Sequence, residues 1–342
     1  MKKPLRKQLN RLAHFKYNKK EKIKMYKLGI DLGGTNIVAG VVDDNYNILA
    51  TAKRKTNCPR PAEEIIDDMA AVAFEAIVAA GLKVDDIDAA GVGTPGAIDP
   101  VNGIVCYANN LNFYNVKMAE MLAERTGIDF YIENDANAAA YGEFLAGAGR
   151  GTNNFIMITL GTGVGGGIII DRKIYSGSNY AGAELGHTVI SMDGEMCTCG
   201  RQGCWEAYAS ATALIRQTKH AMIKYPNSIM WELCNKDINN VSGKTAFDAM
   251  RKGDAAAKIV VDKYIYYISV GIANNINVFQ PEVICIGGGI SKEGEYLTTP
   301  IREYVNGDNY ARSIEKKAEI KVAQLGNDAG IIGAAYICNL YK

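Results

Sequence analysis

The stretch FIMITLGTGVGGGIIIDRKIYSGSNYAGAELGH, residues 155–187, decides how this chain reads. It opens as an apolar run, breaks into a turn with glycines at 161, 163, 165 and 166, and resumes as Gly167-Ile168-Ile169-Ile170. That pattern is strand, glycine-rich turn, strand. Bare backbone amides at such a turn let a bulky anion come close. Glu184 and His187 follow, and just beyond them lie Cys197, Cys199 and Cys204. An anion cradle, an acid–histidine pair and a cysteine cluster thus share one short region.

A second Gly/Thr turn, DLGGTN at 31–36, stands near the start of the chain. Strands are expected over 26–31, 37–42 and 48–53, then a helix over 61–80 with Glu63 and Glu64 at its positive end and Gly81 ending it. A strand over 87–92 runs into Gly93-Thr94-Pro95-Gly96. Residues 107–115 read as a polar loop, 116–125 as a helix and 130–132 as a strand delivering Glu133-Asn134-Asp135 to a helix over 136–148. Asp135 therefore sits at a strand end and a helix start, where the dipole and free amides keep a carboxylate ionised near neutral pH. The same position also suits a plain helix cap. The second half repeats the alternation: helices over 204–224, 245–251 and 254–279, a strand over 283–286 opening on Gly287-Gly288-Gly289, a helix over 292–306, a strand over 320–323 and a last helix over 329–341. Both Gly/Thr turns join strands that read as antiparallel, a weak internal repeat within an α/β chain.

The 342 residues are comfortable for two domains, and 48% apolar with 22% charged residues is ordinary for a globular protein. A net charge of +1 exerts no general pull toward nucleic acid or membrane. Residues 1–27 hold eleven Lys or Arg against one acid, so 1–25 is expected to be a disordered, solvated basic tail; it lacks the apolar segment of a signal peptide. Residues 151–170 carry no charge, but six glycines make a poor membrane span. Cys58, Cys106, Cys234, Cys285 and Cys338 are scattered singly and read as reduced thiols of a cytoplasmic protein. Gly91–Gly96 and Gly161–Gly166 both match G-x-G-x-x-G, yet neither opens a helix as a dinucleotide turn must. Ser242-Gly243-Lys244-Thr245 lacks the first glycine of a P-loop and reads as a helix start.

His187, Cys197, Cys199 and Cys204 form a complete tetrahedral zinc set, closed to water and so structural rather than catalytic. A glycine-bounded loop with reduced thiols is the competing reading. Asp31, at the end of the first strand, could hold Mg²⁺ through its water shell.

DLGGTN, GTPG (93–96), ENDANAAAYGE (133–143), LGTGVGGG (160–167), ELGH (184–187), CTCGRQGCWE (197–206) and IGGGIS (286–291), in this order, resemble the ROK family of sugar kinases and repressors, and within it the bacterial glucokinases. The resemblance spans residues 26–340. It implies an actin-like ATPase fold: two α/β domains with ribonuclease-H-like cores, 26–135 and a larger 136–326 carrying a zinc loop at 187–204, with a final helix over 327–342 packing back on the first. It implies that Asp31, Gly33, Gly34, Thr35, Asn36, Gly161, Thr162 and Gly163 flank the ATP phosphates, with Gly287, Gly288 and Gly289 near the adenosine. Asp135 would take the proton from the sugar 6-hydroxyl. Gly96, Asn109, Asn134, Glu184, His187 and Glu206 would hold the sugar. The implied reaction is glucose plus ATP with Mg²⁺, in a homodimer or homotetramer with a structural Zn²⁺ and no nucleic-acid or membrane partner. N-acetylmannosamine, N-acetylglucosamine or fructose are alternative sugars, and polyphosphate an alternative donor. The family's repressors carry an N-terminal helix-turn-helix domain; residues 1–25 show no paired-helix pattern, so a kinase is expected rather than a regulator.

Overall fold

The computed structural model describes residues 25–341. The basic tail lies outside the described residues except for Met25. The first half runs β1 (Tyr26–Leu32), β2 (Asn36–Val42), β3 (Ile48–Lys55), α1 (Ala62–Ala79) and β4 (Ile87–Thr94). It continues with β5 (Ala97–Asp99), β6 (Ile104–Ala108), β7 (Phe113–Val116), α2 (Met118–Thr126), β8 (Phe130–Asn134) and α3 (Asp135–Ala146). The second half follows with β9 (Phe155–Leu160), β10 (Val164–Ile170), β11 (Lys173–Ile174), α4 (Glu206–Ala209), α5 (Ala211–Lys224), α6 (Met230–Leu233), α7 (Thr245–Arg251) and α8 (Ala255–Phe279). It closes with β12 (Val283–Gly287), α9 (Glu295–Gly307), β13 (Glu319–Val322), α10 (Asp328–Tyr336) and α11 (Cys338–Tyr341).

Two five-stranded sheets repeat one plan, β3-β2-β1-β4-β8 and β11-β10-β9-β12-β13. In each, the first three strands pair antiparallel and the other two add in parallel. Parallel neighbours need crossovers, and helices supply them. The weak repeat between the two Gly/Thr turns is therefore a repeat of hairpin geometry, β1–β2 and β9–β10. Neither G-x-G-x-x-G string opens a helix; β4 leads to β5, and Gly161–Gly166 leads into β10.

Three expectations are corrected. Residues 107–115 are not a loop: β5, β6 and β7 form a small antiparallel sheet, held by buried Val105, Ala108, Leu111 and Phe113. The asparagines at 109, 110 and 112 hid it: they make the turn between β6 and β7, while the strands themselves carry the β-formers Ile104, Val105, Tyr107, Phe113, Tyr114 and Val116. The helix expected over 204–224 breaks at Ser210, whose Oγ accepts from the Ala213 amide at 3.1 Å and starts α5. The last helix likewise divides after Tyr336.

Each sheet has its own core, and a third cluster joins them. That third cluster draws Val42 from β2, Tyr141 and Phe144 from α3, Phe155 and Met157 from β9, and Ile331, Ile332 and Tyr336 from α10. Helix α10 is buried on nearly every side and packs on α3, β1 and β4. It can do so only because glycines face it. A Cβ on Gly29 would stand 1.9 Å from the Ile331 carbonyl oxygen, one on Gly91 2.0 Å from that of Ala334, and one on Gly333 1.7 Å from that of Ala138. The Gly333→Ala variant is expected to lose about 3 kcal/mol of stability in denaturant unfolding. Gly307→Ala, where a Cβ meets nothing within 4 Å, serves as the neutral control.

Candidate active site

Parallel pairing brings the C-terminal ends of β1, β4 and β8 to one edge of the first sheet. The register sets Asp31 beside Gly93, Gly93 beside Glu133 and Thr94 beside Asn134. Asp135 begins α3 immediately after, its Cα 3.6 Å from where a Gly93 side chain would start. On the second sheet β9 and β12 run parallel, so the turn at Gly161–Gly163 and the turn at Gly287–Gly289 share an edge in the same way. Open α/β sheets bind ligands at that edge.

The helix cap is Asn134, not Asp135. Asn134 Oδ1 accepts from the amides of Ala136 at 3.0 Å and Asn137 at 3.3 Å, while its Nδ2 donates to the Gly96 carbonyl at 3.2 Å. Asp135 takes only backbone amides, that of Ala136 to Oδ1 at 2.8 Å and its own. Burial pushes its carboxyl above the ordinary 3.8, although these amides pull the other way. The helix dipole argument alone pointed down; desolvation outweighs it here. Asp31 is pushed up to about 6, first by burial and then by the charge of Asp135. Neighbouring negative charge and desolvation both favour its protonated form.

The glycines of the second hairpin divide into two kinds. Gly161 has open space where a side chain would be, as does Gly289. Gly163, Gly166 and Gly167 instead admit protein: the Glu206 carboxylate, Leu185 and the first turn of α3 press on them. Thus the hairpin is where Glu206, the Glu184–His187 segment and α3 come together. Gly167 lets α3, which starts at Asp135, lie directly on β10, and Gly186 lets the Glu184–His187 segment close on Val164. Gly288 adopts φ +84°, and its would-be Cβ lies 2.4 Å from the Leu160 carbonyl; Gly287 is buried against Met157.

In the first hairpin the Gly33 amide donates to the Asn36 carbonyl at 2.9 Å, and Thr56 Oγ1 donates to the Gly33 carbonyl at 2.6 Å. Gly34 and Thr35 are exposed. Asn36 Oδ1 is buried without a hydrogen-bond partner, an acceptor left over for a donor from a ligand or its hydration shell. Thr162 is exposed, and its carbonyl accepts from Thr212 Oγ1 at 2.8 Å. Thr56 and Thr212 were not legible in the sequence, since each reaches its turn from another element.

Glu184 and Asn109 are exposed, and Asn109 Oδ1 accepts from Tyr107 Oη at 3.1 Å. Glu206 does something the motif did not reveal. Its Oε2 accepts from the Val164 amide at 3.0 Å and its Oε1 from Thr198 Oγ1 at 3.2 Å, tying the cysteine loop to the glycine hairpin.

His187, Cys197, Cys199 and Cys204 converge, with all four ligand atoms within 4.8 Å of one another. Cys199 Sγ and Cys204 Sγ are 3.6 Å apart, as are Cys197 Sγ and His187 Nδ1. A tetrahedron with metal–sulfur arms of about 2.3 Å has edges of about 3.8 Å, so the set fits a zinc ion.

The chain belongs to the ROK family, whose profile matches residues 27–340. It has the actin-like ATPase fold. It is 39% identical over 315 residues to the glucokinase of Thermotoga maritima, covering 92% of this chain and 97% of that one. The glucokinase of Streptomyces coelicolor is 38% identical over 317 residues, covering 90% of this chain and 96% of its own. A solved ROK family glucokinase of Streptomyces griseus, in complex with glucose and AMPPNP, superimposes with a TM-score of 0.73 at 37% identity, covering 91% of this chain and 98% of its own.

The raised Asp31 carboxyl makes a stability prediction. Folded, it keeps its proton up to about pH 6; unfolded, it loses it near 3.8. The stability this proton contributes is present below 3.8 and lost as pH rises through about 6. Asp31→Asn should therefore stabilise the ligand-free protein at pH 7.5 by at most about 3 kcal/mol and do little at pH 3.5, read by urea unfolding at both values.

Proposed function

We propose that this protein transfers the γ-phosphoryl group of ATP to O6 of glucose, giving glucose 6-phosphate and ADP, with Asp135 as general base. The observation that carries the reading is the half-buried Asp135 carboxylate, released from capping by Asn134 and set beside Asp31 at one sheet edge. A desolvated carboxylate with raised basicity is suited to take a hydroxyl proton. The relatives that are glucokinases support the substrate and the donor. Phosphoryl transfer asks the protein for positioning and charge neutralisation more than for covalent chemistry.

Asp31 would hold Mg²⁺ through its water shell, a role its place at the end of β1 beside Asp135 supports. The exposed amides of Gly34 and Thr35, with the open turns at Gly161–Thr162 and Gly288–Gly289, are the surfaces left for triphosphate and adenosine. Gly33, Asn36, Gly163 and Gly287 hold those turns in shape. Asn109, Glu184, His187 and the Gly96–Asn134 pair would meet the sugar hydroxyls, and Glu206 would join them by exchanging its Val164 bond. A wrong epimer would leave such groups unpaired at roughly 1–3 kcal/mol each. We assign the lobes as residues 26–135 and 136–326, with the C-terminal helices on the first. We place the protein in the cytoplasm, where ATP is available, and among the described residues no helix is long and apolar enough to cross a membrane. Family likeness supports a homodimer or homotetramer.

Zinc at His187, Cys197, Cys199 and Cys204 would hold the loop that presents Glu206. Plasma emission analysis should find about one zinc per chain. Cys199→Ser should lower both zinc content and melting temperature; full stability without metal would remove the assignment.

The reaction is tested with Mg-ATP against glucose, mannose, fructose, N-acetylglucosamine and N-acetylmannosamine, following ADP and the sugar phosphate. Glucose should be preferred, and Asp135→Asn should bind it while losing about 10²–10⁴-fold in turnover. Preference for an N-acetyl sugar would overturn the substrate alone; near-normal turnover by a folded Asp135→Asn variant would remove the base.

A further inference from the structure

Glu133, the residue two before the proposed base, is a carboxylate only 2% exposed. Among the described residues no cation lies within ion-pair distance of it. Three donors converge on it instead. Oε1 accepts from the Asn134 amide at 2.8 Å and from Asn137 Nδ2 at 3.0 Å. Oε2 accepts from Tyr341 Oη at 2.6 Å. Tyr341 closes α11, and α11 rests on β4 and β8, the two strands that deliver Gly93 and Asn134 to the site.

A buried carboxylate stays where its donors hold it, because each unmade bond leaves a desolvated charge. Oε1 therefore fixes the peptide between β8 and α3 and the first turn of the helix, the segment that aims Asp135. Tyr341 in turn fixes the other oxygen. The arrangement recurs at the far end of α3. There Glu143, fully buried, accepts from the Gln324 and Leu325 amides at 2.8 and 2.7 Å and from the Ala148 amide at 2.9 Å. The segment from Gln324 to Tyr341 is thus held at both ends by buried carboxylates, Glu143 of α3 and Glu133 of β8 immediately before it.

We propose that Glu133 and the C-terminal Tyr341 are positioning residues for the catalytic centre: the tyrosine hydroxyl holds the carboxylate that sets the β8–α3 peptide, and with it Asn134 and Asp135. The role in turnover rests on Asp135 being the base; the clamp itself does not. Nothing in the motif near Asp135 points to a residue at the end of the chain, and the contact depends on a hydroxyl alone.

The test compares the full-length wild type, Tyr341→Phe, Glu133→Gln and the double variant, by amide hydrogen exchange and by steady-state kinetics with glucose and Mg-ATP. Tyr341→Phe keeps the ring and its packing. It should speed exchange in peptides covering 130–140 while leaving 155–170 unchanged. It should also lower kcat roughly tenfold, the scale of one hydrogen bond to a charged group, with the KM for ATP unaltered. In the Glu133→Gln background the same substitution should change kcat by less than about twofold, because the two residues act as one unit. Unchanged exchange over 130–140 would overturn the clamp. So would a uniform rise over both regions, which marks general loosening, or equal losses from Tyr341→Phe in both backgrounds. If Glu133→Gln does not fold, exchange in Tyr341→Phe decides alone. A wild type that turns over no sugar would overturn the kinase reading while the exchange result still judged the clamp.

Discussion

The close approach of α10 to the glycines of β1, β4 and α3 is the constraint on which the rest of this molecule depends. Ordinary side chains would hold a helix 8–10 Å from its neighbour, and here backbone carbonyls occupy the space a Cβ would need. The glycines forgo apolar side chains, but the approach lets one helix touch both a sheet and a helix at once. Helix α3 lies between that contact and Gly167 of the second hairpin. The two lobes are therefore joined through the element whose first residue is Asp135.

From this follows the chemistry of the cleft. Strand pairing alone would put Asp31, Glu133 and Asp135 near one edge. Packing then withdraws them from water, Glu133 almost wholly and the other two in part, and they differ in what faces them. Glu133 gathers three donors, Asp135 takes backbone amides that only partly offset its desolvation, and Asp31 faces the charge of Asp135. The same residue type acquires distinct roles because burial and hydrogen-bond supply differ over a few ångströms.

Much of this was readable beforehand, and the parts that were not share a cause. The hairpins, α1, α8 and β12 carry local signals: apolar runs, Gly or Pro boundaries, acidic first turns. The cysteine–histidine set was visible because its spacing is a property of the chain. By contrast the β5–β6–β7 sheet was hidden in asparagine-rich sequence, and the break at Ser210 in a run of helix formers. The glycines of the turn read as room for an anion, and on their Cβ side Gly163 and Gly166 also make room for Glu206 and Leu185, as Gly167 in the following strand does for α3. A glycine reports that something comes close and is silent about what.

The sequence by itself determined an α/β chain with two Gly/Thr hairpins, an acid at a strand-to-helix junction and a closely spaced cysteine–histidine set, because those features rest on short-range steric and hydrogen-bonding rules, and the resemblance of its motifs pointed to the ROK family. Only the tertiary structure decided which asparagine caps α3, how far Asp31 and Asp135 are desolvated, where Glu206 reaches, and that the penultimate residue holds a carboxylate beside the site. Those depend on contacts between residues far apart in the chain. Burial and charge proximity are properties of pairs and surroundings, and no single stretch of sequence contains them.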